Sequence, residues 1–188
     1  MIKQPKTQSA AQRQIQLEQA LLTLMEAKGY AQITVTDICR EADIPRRTFY
    51  HYFDCKEEVL HAVVDNMLHE CMLKVMLVLD GGIDALKESL VRNFRFWQTE
   101  GRAQLDLLLE NDLAAEMIDC AMRWIEREHI GLPRRPGVTD KQIEIAIMMG
   151  ASGFFTLLIY WRRNGYRESP EEMADYATRF LSEPLIQP

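Results

Sequence analysis

The chain has 188 residues, with 22 Lys and Arg against 28 Asp and Glu for a formal charge of −6, and it is 47% hydrophobic and 27% charged. That balance belongs to a globular protein long enough to bury a core without disulfide or metal staples, and it excludes disorder as the default state. The start MIKQPKTQSAAQRQ lacks the apolar block of a signal peptide and the four cysteines form no CxxC pair, so a cytoplasmic chain with reduced thiols is expected.

Helix-start signals recur along the chain, each a side-chain acceptor for the orphan N–H groups of a first turn. Ser9 with Gln12 predicts a helix whose apolar stripe is Leu17, Leu21, Leu24 and Met25, stopped by Gly29. Thr34 with Asp37 opens a short helix to about Ala42, and Asp54 with Glu57 opens a long one. The stripe of that long helix is Leu60, Val64, Met67, Cys71, Val75 and Val78, ending at Asp80-Gly81-Gly82. Ile83, Leu86, Leu90, Phe94 and Trp97 form the next stripe, closed near Gly101. Leu105 to Ile130 holds one or two further helices before Gly131 and the break LPRRPG. Thr139 with Gln142, and Ser169-Pro170-Glu171-Glu172, open the last two. No alternating stretch long enough for a strand and no internal repeat is present, so the expectation is an all-α fold of about eight or nine helices. The uncharged run from Ile145 to Trp161 is short for a membrane span and contains Gly150, Ser152, Gly153 and Thr156; it reads as a core or subunit-interface helix.

Charge is unevenly spread. Residues 1–56 hold 8 Lys and Arg against 6 Asp and Glu, whereas residues 57–188 hold 14 against 22, so only the N-terminal third suits a polyanion. It contains the run TVTDICREADIPRRTFYHYFDCKEEVL, two short helices about a tight turn. Ile38 and Ala42 lie four apart on the inward face of the first, and Phe49 and Phe53 on that of the second. Arg46, Arg47, Tyr50 and His51 remain on the outer face. Arginine suits guanine edges, and hydroxyls suit phosphates, so such a helix can both read and hold a major groove.

This run, with the helix before it, resembles the TetR family of helix-turn-helix transcriptional regulators over roughly residues 10–65. The resemblance implies that Thr34 caps the second helix and touches phosphate and that Thr36 points to the groove. By the same match Arg46, Arg47 and His51 read bases, while Thr48, Tyr50, Tyr52 and Lys56 hold the backbone. Two positions depart from the family pattern: Asp43 stands where Gly is usual at the turn, and Pro45 where Ser is common at the cap. Asp tolerates the left-handed conformation and Pro can begin a helix, so the motif survives both.

The resemblance divides the chain into a three-helix DNA-binding domain at 1–55 and a regulatory and dimerisation domain at 56–188. Small residues Ala146, Gly150 and Gly153 with Leu157, joined by Tyr176 and Phe180 of the last helix, are the expected two-fold interface. Phe94, Trp97, Leu108, Met117, Trp124, Met148 and Phe155 are the candidate lining of an effector pocket. The run Tyr160-Trp161-Arg162-Arg163-Asn164-Gly165 is similar to the C-terminal region of a subgroup that includes regulators of dihydroxyacetone kinase operons.

His61, Asp65 and His69 share one helix face, but the ends of that stripe stand about 12 Å apart, too far for one ion, so no metal is expected. No catalytic signature and no cofactor-binding motif appears. The expectation is a non-enzymatic homodimeric regulator, a repressor released from a palindromic operator by a small molecule. An activator or adaptor that docks a partner protein is the alternative.

Overall fold

A computed structural model describes residues 8–75, 82–128 and 137–182. In chain order these form α1 (Gln8–Lys28), a 3₁₀ turn (Tyr30–Gln32), α2 (Val35–Glu41), α3 (Arg46–Tyr52), α4 (Lys56–Val75) and α5 (Gly82–Gln98). They continue with α6 (Arg102–Glu110), α7 (Ala114–Glu128), α8 (Asp140–Arg163) and α9 (Pro170–Ser182), and no strand occurs among the described residues. The expected end of α4 at Val78 and Asp80-Gly81, the boundary at Ile130 and Gly131, and most of the following loop lie outside them, as does the side chain of Phe180.

Local capping chemistry sets several of the starts. Thr139 Oγ1 accepts from the Gln142 amide at 3.3 Å while Gln142 Oε1 accepts from the Thr139 amide at 2.9 Å. Ser169 and Glu172 exchange the same pair at 3.2 and 2.7 Å. At α4 the acceptor for the Asp54 amide is Glu58 at 2.9 Å rather than Glu57, because the helix begins two residues after Asp54. Gln8 is already helical, so Ser9 lies inside α1 rather than at its cap.

The core is continuous from the first helix to the last. Leu17 and Leu21 of α1 pack with Ile38, Phe49, Phe53, Val59 and Leu60, all withdrawn from water, and α4 carries the cluster onward to α5 and α7. α5 and α9 run antiparallel, with Lys87 on Asp175 at 2.6 Å and Arg95 on Glu171 at 2.5 Å. The expected stripe of α5 faces the core at Leu90, Phe94 and Trp97, but it is broader than expected and lacks its first residue: Ser89 and Phe96 are also buried, and Ile83 is exposed. α8 divides in two. Its C-terminal half buries Phe155, Leu158, Ile159 and Trp161, and Arg162 reaches Asp106 at 2.7 Å and Glu110 at 3.0 Å. Its N-terminal half stays apolar and uncovered, with Met149 72% exposed.

Where α1 crosses α4, Glu18 Oε2 accepts from the Asn66 side-chain Nδ2 at 2.7 Å, beside Asp65. Burial pushes the Glu18 carboxyl up to about 7, with the Asp65 charge adding to the shift. A raised carboxyl favours the folded state most below its unfolded value near 4.5, and that contribution fades as pH climbs through about 7. The stability of Glu18→Gln relative to the unsubstituted chain is therefore expected to rise between pH 5 and pH 8 by about 2 kcal/mol. Urea unfolding of both proteins at the two pH values checks this; a difference independent of pH would contradict it.

Candidate nucleic-acid interface

The turn between α2 and α3 depends on Asp43, which adopts φ 51 in the left-handed region that its short polar side chain tolerates. The Ile44 amide then returns to the Cys39 carbonyl at 2.9 Å. Pro45 sits at the cap position rather than inside the helix, and it offers its carbonyl to the amides of Thr48 at 2.8 Å and Phe49 at 3.1 Å. Phe49 and Phe53 are fully buried with ring centroids 5.9 Å apart, and Ile38 is buried on α2. These anchors fix the roll of α3. Its outer face carries Arg46, Arg47, Tyr50 and His51, all exposed, and Thr36 is exposed on α2; Thr48 and Tyr52 are half-buried, with Tyr52 packed against the core.

Arg46 and Tyr50 orient each other. The Arg46 Nη2 donates to the Tyr50 hydroxyl at 3.0 Å, and its guanidinium lies 5.9 Å from the ring centroid. The Tyr50 ring meets Phe49 edge-on at 5.4 Å, so the buried anchor holds the exposed pair in place. A guanidinium has five N–H donors, so the bond to Tyr50 leaves the fork able to address a base.

Thr34 forms the expected capping box, accepting from the Asp37 amide at 3.2 Å while its own amide donates to Asp37 at 3.0 Å. Its hydroxyl proton is already directed at Asp37 Oδ2 at 2.6 Å, so the phosphate contact implied for Thr34 requires that bond to break. Asp37 also takes Lys28 at 2.9 Å and Arg40 at 2.8 Å, and the hydrogen bonds from Thr34 and Lys28 hold its carboxyl well below the usual range. Replacing Thr34 by Ala is expected to lower unfolding stability by about 1 kcal/mol through the lost cap. Chemical denaturation at neutral pH measures this, and an unchanged midpoint would contradict it.

Lys56 likewise has partners inside the protein. Its ammonium donates to the carbonyls of Tyr30 and Ile33, each at 3.0 Å, and stands 4.3 Å from the Tyr30 ring centroid. Two of its three N–H donors are thus spent inside the protein, and a phosphate would meet the third. The spacing of residues 26 apart carried no signal for this.

Of the candidate pocket residues, Phe94, Trp97, Leu108, Met117, Trp124 and Phe155 all lie in the core. Met148 does not join them: it is 40% exposed on the uncovered half of α8. The rings pack directly, Phe94 on Trp161 at 5.4 Å and on Phe154 at 5.1 Å, and Trp97 on Phe155 at 6.3 Å. Trp161 and Phe154 were outside the candidate lining. Among the described residues the buried Trp97 Nε1 has no hydrogen-bond partner, a donor that an acceptor-bearing ligand would satisfy. On α8, Ala146, Gly150 and Gly153 are exposed and Leu157 is half-buried; Tyr176 is exposed on α9.

Among the described residues no three His, Cys, Asp or Glu side chains gather as a metal site. His61 instead faces Arg123 at 3.2 Å, and Asp65 pairs with Arg127 at 3.0 Å. Cys39 is buried and Cys55 half-buried, and burial pushes both thiols up, away from reactivity.

The family profile described as bacterial regulatory proteins, tetR family, matches residues 19–63, and one described as transcriptional regulator C-terminal region matches residues 79–183. The chain is similar to the HTH-type transcriptional regulator EthR of Mycolicibacterium smegmatis, 37% identical over 67 residues that make up 36% of this chain and 27% of that protein. It is also similar to the HTH-type dhaKLM operon transcriptional activator DhaS of Lactococcus lactis, 42% identical over 50 residues, 27% of each chain. The matched segments thus span less than a third of these relatives. A TetR transcriptional regulator from Streptococcus agalactiae shares the fold with a TM-score of 0.59 at 18% identity, over 91% of this chain and 94% of that one. A TetR transcriptional regulator from Rhodococcus sp. RHA1 does so with a TM-score of 0.59 at 16% identity, over 95% and 100%.

Proposed function

From the premise that this chain belongs to the TetR family of DNA-binding transcriptional regulators, we propose that it is a cytoplasmic homodimer that represses from a palindromic operator and is released by a small-molecule effector. The carrying observation is the outer face of α3, where Arg46, Arg47, Tyr50 and His51 are exposed together on a helix pinned by Phe49 and Phe53. Arg46, Arg47 and His51 read base edges, Thr36 borders the groove, and Thr48, Tyr50, Tyr52 and the remaining donor of Lys56 hold phosphates. Residues 1–55 act as the reading head and 56–188 as the regulatory and dimerising domain. Dimerisation uses the small-residue face of α8 with α9, which presents two reading heads to one face of DNA, for instance about 34–36 Å apart. The effector enters the aromatic core around Trp97. Because binding is linked, an effector that favours the geometry unsuited to the operator weakens DNA binding by the factor that DNA weakens its own.

The test is selection of bound fragments from a random DNA pool by the purified chain at two salt concentrations. Recovery of an inverted repeat supports the reading; binding with no recovered motif that vanishes as salt rises overturns it. The relative named as an operon activator favours a second reading, in which the C-terminal domain recruits a partner protein and the sign of regulation is positive. A reporter carrying the selected operator separates the two, since expression falls with a repressor and rises with an activator.

A further inference from the structure

The reading head is joined to the rest of the chain by α4, and also by a second attachment at the α6–α7 turn. There Asn111 closes α6 and Asp112 follows at φ 57. The Asn111 Nδ2 donates to the Leu107 carbonyl at 2.8 Å, which fixes the amide so that Oδ1 accepts the backbone N–H of Tyr30 at 2.5 Å. Tyr30 begins the 3₁₀ turn between α1 and α2, and its carbonyl is one of the two that Lys56 grips. Gly29 just before it adopts φ +75, the left-handed region, so the chain turns toward Asn111 without backbone strain. Residue 30 is thus held at its N–H by the regulatory domain and at its C=O by the first residue of α4. Ile33, the other carbonyl held by Lys56, is buried and directly precedes the cap of α2.

A head attached only through one helix can rock about that helix, whereas a second attachment off its axis removes the rocking freedom. We propose that Asn111 is a positioning residue for DNA binding: by tying the α1–α2 turn to the α6–α7 turn, it sets the half-site spacing that the dimer accepts. The inference rests on the operator-binding reading above. It also supplies a route for regulation, since any displacement of the α6–α7 turn moves Tyr30 and, through the carbonyl of the same residue, Lys56.

The experiment uses the full chain and a series of duplexes built from the selected half-site, with the separation changed one base pair at a time. The unsubstituted chain prefers one spacing. Asn111→Ala is expected to reduce the discrimination between that spacing and its neighbours by about fivefold or more. Asn111→Asp keeps an acceptor for the Tyr30 amide but loses the Nδ2 bond to the Leu107 carbonyl, so it retains the parent's preferred spacing with discrimination between that of the parent and that of Asn111→Ala. Hydrogen exchange gives a readout independent of DNA, with the Tyr30 amide protected in the parent and in Asn111→Asp and open in Asn111→Ala. An unchanged spacing profile in a folded Asn111→Ala chain overturns the proposal, as does equal broadening in both variants. If Asn111→Ala does not fold, rapid exchange of the Tyr30 amide in the parent, or loss of the preferred spacing in an Asn111→Asp chain whose Tyr30 amide stays protected, overturns it. Failure of the parent to select any operator overturns the DNA-binding reading and this proposal together, whereas selection by the parent with an unaffected folded variant removes this proposal alone.

Discussion

Replacing Arg46 by alanine is expected to weaken binding to the selected operator by about 1–3 kcal/mol, roughly 5- to 150-fold, and to flatten the preference at one base pair of each half-site. The effect is large because the guanidinium is already aimed: Tyr50 holds one Nη2 hydrogen at 3.0 Å, and Phe49 holds the Tyr50 ring. A pre-oriented arginine loses less side-chain entropy on meeting a base than one drawn from solution. Tyr50→Phe removes only the hydroxyl, so it should cost less than Arg46→Ala, and the double variant should cost less than the sum of the two. Equilibrium binding to the operator and to single-base variants at fixed salt measures all three. A loss for Arg46→Ala that is equal on every sequence would place Arg46 on phosphates rather than on a base edge.

Gly150→Leu is expected to convert the protein from dimer to monomer and to lower operator affinity by about 100-fold or more, while the isolated chain stays folded. A Cβ built at Gly150 meets nothing within 4 Å, so leucine has room in the single chain. It also favours the helix by about 1 kcal/mol over glycine. In the proposed dimer the same side chain stands where the partner's helix must approach closely. Two linked reading heads bind far more tightly than one, which is why the loss of pairing reaches the DNA. Sedimentation with circular dichroism separates the cases: a helical monomer agrees, and a stable dimer moves the interface away from this face of α8.

How much of this was legible in the sequence differs from helix to helix. The capping boxes at Thr34, Thr139 and Ser169 join residues three apart, and all three form as their spacing implies. The outer face of α3 was legible for the same reason, since i, i+4 spacing puts Phe49 and Phe53 together and leaves the polar residues opposite. The stripe of α5 was legible at Leu90, Phe94 and Trp97, which face the core, but not at its edges. There Ser89 and Phe96 are also buried and Ile83, in the first turn, is exposed, which periodicity alone does not indicate. Met148 shares its apolar character with the other candidate pocket residues, and only the packing sets it apart from them, on the exposed N-terminal half of α8.

By itself the sequence determined the helical class, the helix-turn-helix and the residues of its outer face, because caps, turns and helical periodicity are interactions within a few residues. Only the tertiary structure decided what the polar atoms of those residues are free to do. Lys56 is drawn to carbonyls 23 and 26 residues away, and Asn111 meets an amide 81 residues away. A buried N–H or C=O must find a partner, and which one it finds depends on how the helices pack. The same packing leaves one half of α8 uncovered, since apolarity marks a face for burial without naming the surface that will bury it.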